Sequence, residues 1–150
     1  MILFGFLLFL HLAGLMVWLG ALLAVVVILP MLYKQSGAAT AHANPFASRI
    51  IRVFGMLAHP AAAIVLISGV FMIIDMDLGQ DKPLWLEIME KGGGTVILLA
   101  LAWTGILGRK ARKRLIAAAG QAVTLTGYRT ASASIMVLIL SIVLIVSLKI

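Results

Sequence analysis

Residues 2–33 read ILFGFLLFLHLAGLMVWLGALLAVVVILPMLY, and no charged residue appears before Lys34. A helix needs about 20 apolar residues to cross a hydrocarbon core of about 30 Å, and this stretch exceeds that length. It has no basic leading region, and it far outruns the roughly 7–15 apolar residues at the heart of a secretory signal. It is therefore expected to remain as a helix. Three further segments share its character, at about 50–74, 84–107 and 130–148. All four are continuous apolar runs without period-2 alternation. Lipid offers no water to exposed backbone groups, so continuous runs of this kind become helices. The predicted fold is an all-α membrane protein, a four-transmembrane-helix bundle forming one domain over residues 1–150.

Composition points the same way. Hydrophobic residues make up 63% of the chain and charged residues 11%, against about 45–50% and about 25% in soluble domains. The mean hydropathy is +1.18. A soluble enzyme of this size could not hide so much apolar surface. The pI of about 10.4 suggests nucleic acid until the basic residues are located, most of them in short segments between apolar runs, so no nucleic-acid partner is expected. Cysteine is absent, which excludes disulfides, thiolate metal sites and cysteine nucleophiles.

Charge placement predicts orientation. Lys34, Arg49 and Arg52 fall in or beside the first connection, and Arg109, Lys110, Arg112, Lys113, Arg114 and Arg129 flank the third. Every acid (Asp75, Asp77, Asp81, Glu87, Glu90) lies in or beside the second. The positive-inside rule puts the first and third connections in the cytoplasm, with both termini and the acidic loop outside. Residues 35–48, small and polar and including His42, read as a flexible connector in which His42 is solvated. The run Arg109, Lys110, Arg112, Lys113, Arg114 reads as a loop that anchors the orientation and touches anionic lipid, at about 1 kcal/mol per basic residue near the surface.

Few polar side chains lie inside the spans, and intramembrane ionisable groups usually face a bundle interior or a cavity. His11 lies about 13 Å below the outer surface at about 1.5 Å per residue, with Gly14 and Trp18 on the same face at i+3 and i+7. Its two readings are a neutral histidine bonded to a neighbouring helix, or a ligand. His59 precedes Pro60, which strips the Met56 carbonyl of its helical donor and leaves an acceptor near the imidazole. Gly55, Ala62 and Gly69 form a small-residue groove on its face, which suits plain helix packing or a flat macrocycle. Lys91 lies about 10 Å deep. It reads as an ion pair with Glu87 at i−4 that snorkels to the outer headgroups, or as a partner for a ligand's carboxylate. Gly92-Gly93-Gly94 follows it, and three glycines weaken a helix by about 1 kcal/mol each, so a packing or binding reason is expected. From these helix ends His11 and Lys91 are level, whereas the two imidazoles differ by about 9 Å in depth. Ligation of one iron by both histidines is therefore disfavoured, and one-histidine ligation or two separate roles stay open.

The chain holds eight methionines, and thioether plus imidazole suits Cu(I). Met56, at i−3 from His59, is the methionine placed to join His11 and His59 as a metal ligand, though methionine also fills irregular cores. No hydrolytic triad, nucleotide loop or zinc-protease motif is present.

His11-Leu12-Ala13 and Val17-Trp18-Leu19-Gly20 in the first span, His59-Pro60-Ala61 and Ser68-Gly69 in the second, and Leu84-Trp85-Leu86, Lys91 and Gly108-Arg109 in the third form a pattern. It resembles the four-helix superfamily of the copper-resistance CopD domain and the HemJ-type protoporphyrinogen oxidases. The resemblance covers the first three helices; the fourth matches only in being apolar, which leaves room for a homodimer. It implies a bacterial inner-membrane protein with a first-helix histidine and a third-helix lysine, positions held by His11 and Lys91. A HemJ-like protein would bind haem b and oxidise protoporphyrinogen IX; a CopD-like one would serve copper uptake or tolerance. The chain departs from HemJ in lacking a Tyr-Leu-Pro-Arg stretch after Trp18 and a histidine near Trp103 and Thr104.

The expected function is binding of a prosthetic group or metal inside the bundle, haem b first, with Gly14 and Trp18 beside His11, His59 and Lys91 and with Lys91 pairing a propionate. Copper handling is the alternative. A scaffold subunit, in which these polar groups serve packing alone, is the third.

Overall fold

The structure is a computed structural model that describes residues 2–36, 40–77, 83–118 and 123–148. Among the described residues there are only helices and short connections, with no strand. Helix α1 spans Ile2–Ser36 and α2 spans Thr40–Met76. The third rod is built from α3 (Leu84–Glu87), a π-helical segment (Ile88–Gly93) and α4 (Gly94–Ala117). Helix α5 spans Thr126–Leu148. Among the described residues four helices are thus long and apolar enough to cross a membrane, within Ile2–Leu32, Asn44–Met76, Leu84–Ala117 and Thr126–Leu148.

Two expected connections prove largely helical. Helix α2 starts at Thr40, so much of the segment read as flexible belongs to the rod. Asn44, Ala47 and Ser48 are buried, and Ala47 and Ile51 share a core cluster with Val25 and Leu29 of α1 and with Ala111, Leu115 and Tyr128. The small residues that suggest a linker by composition are also the ones that let helices approach closely. The side chain of His42 lies outside the described residues. Likewise, the basic run Arg109–Arg114 is not a loop, because α4 continues to Ala117. Gly108, Ala111 and Leu115 form its buried face, and Arg109, Lys110, Lys113 and Arg114 are exposed. A single helix can leave the apolar layer without unwinding once its buried face keeps the 3.6-residue period.

Glycines set the close contacts between rods. A Cβ at Gly14 would lie 2.9 Å from Val65 Cγ2 and 3.1 Å from the Ala61 carbonyl oxygen, so α1 and α2 touch almost backbone to backbone there. Tyr128 of α5 lies over Gly108 of α4, with its Cε2 3.6 Å from where a Cβ would be. A second core cluster gathers Trp18, Ala58, Ala61, Ala62, Val65, Ile97, Ala100, Ile135 and Ile139 from all four rods. The lipid-side surface is apolar, with Met16, Leu23, Ile67, Phe71, Leu98, Trp103, Ile106 and Leu144 exposed.

Candidate functional site

His11 projects from α1 onto α2. Its Nδ1–H donates to the Val65 carbonyl at 3.0 Å, and Ser68 Oγ lies 3.2 Å from the same nitrogen. The Ser68 hydroxyl in turn donates to the Ile64 carbonyl at 2.6 Å. The ring lies flush against Gly69, where a Cβ would come within 3.3 Å of Cε1. A backbone carbonyl bonded to Nδ1–H fixes the neutral tautomer with a lone pair on Nε2, the arrangement that presents an imidazole to a metal or a hydrogen-bond donor.

That ring forms part of the wall of a cavity of about 290 Å³ between α1, α2, the third rod and α5. Trp18 of α1, Met72 of α2, Glu90 and Gly93 of the π segment, and Val143 of α5 also line it. Its walls are otherwise almost wholly apolar. Leu12, Val70 and Val143 are exposed along its rim. Ligand cavities run from about 300 to 1,000 Å³, apolar with a few convergent polar groups, so this one stands at the small end of that class.

The other expected site residues lie elsewhere. His59 turns toward α4, its Nδ1–H donating to the Gly55 carbonyl at 2.7 Å and its Nε2 3.3 Å from where a Cβ at Gly105 would stand. The acceptor is thus the carbonyl four residues back and not the Met56 carbonyl that Pro60 leaves without a helical donor. His11 is level with Val65 to Gly69, six to ten residues along α2 from His59, which is about 9–15 Å at helical rise. Gly69, read as part of a groove beside His59, in fact seats His11. Gly14 packs in the α1–α2 seam and does not line the cavity. Met56 is 69% exposed. Lys91 is paired with Glu87, its side chain 74% exposed. The structure therefore unites His11 and Trp18 and separates both from His59, Met56 and Lys91.

Helical phase explains the separation. Leu86, Ile97, Ala100 and Thr104 mark the inward face of the third rod. Glu90 and Gly93 fall on that face, and Lys91 falls on the outward face with Glu87 and the exposed Thr95. The π segment widens the turn just where the glycines remove side-chain volume, and π turns recur at functional sites. Glu90 and Met89, both on the cavity wall with Met72, are given no site role by the sequence reading. The spacing of Glu90 from Leu86 and from Gly93 and Gly94 is the signal that marks it.

Haem b can be tested against this wall. Its iron finds one well-oriented imidazole in His11. Among the described residues its two propionates find no Lys or Arg on the cavity wall, where the ionisable side chains are His11 and Glu90. The fit is good for an imidazole-seeking centre and poor for a dianionic edge. No group of three or more His, Cys, Asp or Glu capable of holding a metal is found among the described residues. No protein-family model, curated protein or solved structure matches the chain.

Proposed function

We propose that this chain is a small multi-pass membrane protein that binds a lipid-soluble ligand in the cavity beside His11, with Nε2 as its polar anchor. One observation carries this reading: an imidazole held by a backbone carbonyl on one nitrogen, with the other nitrogen unbonded among the described residues, on the wall of an apolar cavity. The lack of a Lys or Arg on the wall among the described residues supports a ligand whose polar end is uncharged over the two propionates of haem b. Copper is the second reading, because the thioethers of Met72 and Met89 lie on the same wall as His11, and soft sulfur with imidazole suits Cu(I). In that case these two methionines take the place of Met56 and His59.

The protein would lie in the bacterial inner membrane, as the resemblance to the CopD and HemJ families implies. By the positive-inside rule the Arg109–Arg114 end faces the cytoplasm, and both termini and the cavity lie toward the outside. The experiment is purification in mild detergent of wild type and His11→Ala, followed by an absorbance spectrum, copper analysis and solvent extraction of bound lipid-soluble molecules. A ligand present in wild type and lost from His11→Ala, but kept by His59→Ala, is the expected result. A Soret band in purified wild type would restore haem b as the ligand. Identical content in wild type and His11→Ala overturns the proposal.

A further inference from the structure

A second hollow lies at the far end of the bundle, away from the His11 cavity and independent of its function. It holds about 100 Å³ between α4 and the start of α5, with Leu107, Lys110 and Arg114 on one side and Leu125, Gly127 and Tyr128 on the other. This is room for several waters and enough for a phosphate group. Lys110 and Arg114 are four residues apart on one helix face, where like charges repel.

Among the described residues no carboxylate is paired with either. All five acids of the chain fall between residues 75 and 90, whereas Lys34, Arg49, Arg52, Arg109, Lys110, Arg112, Lys113, Arg114 and Arg129 gather at this end around the cluster of Leu29, Ala47, Ile51, Ala111, Leu115 and Tyr128. Toward the middle of the membrane, the Lys110 side of α4 continues as exposed Ile106 and Trp103, an apolar track on which an acyl chain can lie. We propose that this notch seats the phosphate of an anionic membrane phospholipid, clamped by Lys110 and Arg114, with its chain along Trp103 and Ile106. Arginine supplies a planar fork for two phosphate oxygens and lysine a point charge.

The test separates this seat from diffuse attraction. Full-length protein is placed in phosphatidylcholine nanodiscs doped with phosphatidylglycerol, and retained phosphatidylglycerol is titrated by native mass spectrometry. Lys110→Gln with Arg114→Gln removes two charges from the notch. Arg109→Gln with Lys113→Gln removes two from the same turns of α4 but outside the notch. Both pairs lose the diffuse attraction of two charges, about fivefold per residue, and the first pair is expected to lose about tenfold or more beyond the second, the scale of charge-assisted hydrogen bonds. Arg114→Lys, which keeps the charge and the helix, is expected to fall between wild type and the first pair. Equal losses in the two pairs, or no loss in either, overturn the proposal. Displacement of phosphatidylglycerol by millimolar inorganic phosphate would mark a site for a free anion and also overturn it.

Discussion

At the basic end of the bundle, Val25, Leu29, Ala47, Ile51, Ala111, Leu115 and Tyr128 fill most of the space between the rods and leave a notch of about 100 Å³, while at the opposite end the same rods line an open cavity of about 290 Å³. The difference comes from side-chain volume. Gly108 is a small residue facing a large one, and Tyr128 fills its gap. Gly93 and Gly94 face no such partner, since a Cβ on either would meet nothing within 4 Å. Lipid tails are as apolar as leucine, so helices in a membrane associate through close packing and interhelical bonds. An unfilled space forgoes that packing, and the end that forgoes it also carries the anchored imidazole. The contrast teaches that open space arises where the third rod gives up side chains, and the proposed ligand would occupy that space.

Substitutions can break or sharpen this contrast. Trp18 is only 2% exposed and belongs both to the core and to the cavity wall. Trp18→Ala is expected to cost on the order of 3 kcal/mol, the low end for a large aromatic because transfer to lipid is less costly than transfer to water. Denaturant titration in mixed micelles measures it, and a loss below about 1 kcal/mol would mean that the indole is not a shared wall. Gly14→Ala meets the Ala61 carbonyl and Val65 and should destabilise by about 1–3 kcal/mol. Gly94→Ala should do the reverse, stabilising by about 0.5–1 kcal/mol through helix propensity while narrowing the cavity and weakening ligand retention. If both glycine variants destabilise alike, the two regions are packed alike and the contrast fails. Lys91→Gln is the smallest change: with the side chain on the outward face, thermal unfolding and ligand content should match wild type. A loss of ligand in that variant would return Lys91 to the site.

Much of this was legible in the sequence. The four rods follow from apolar runs, and the pairing of Lys91 with Glu87 follows from i,i+4 spacing. The depth difference between His11 and His59 also follows from helical rise, and it persists along α2. Other features required partners from distant parts of the chain. Residues 40–48 become helix because Ala47 packs with Val25 and Leu29, which composition cannot reveal. Gly69 serves His11 instead of His59 because α1 crosses α2 at that level. Glu90 joins the cavity wall because the third rod presents that face to α2 and α5.

The apolar runs and the segregated charges alone determined four helices and an uneven distribution of charge between the two ends of the bundle, since backbone groups in lipid have no other way to be satisfied. Only the tertiary structure decided which polar side chains share a space. Neighbouring residues on a helix point about 100° apart, so Glu90 faces a hollow while Lys91 faces outward.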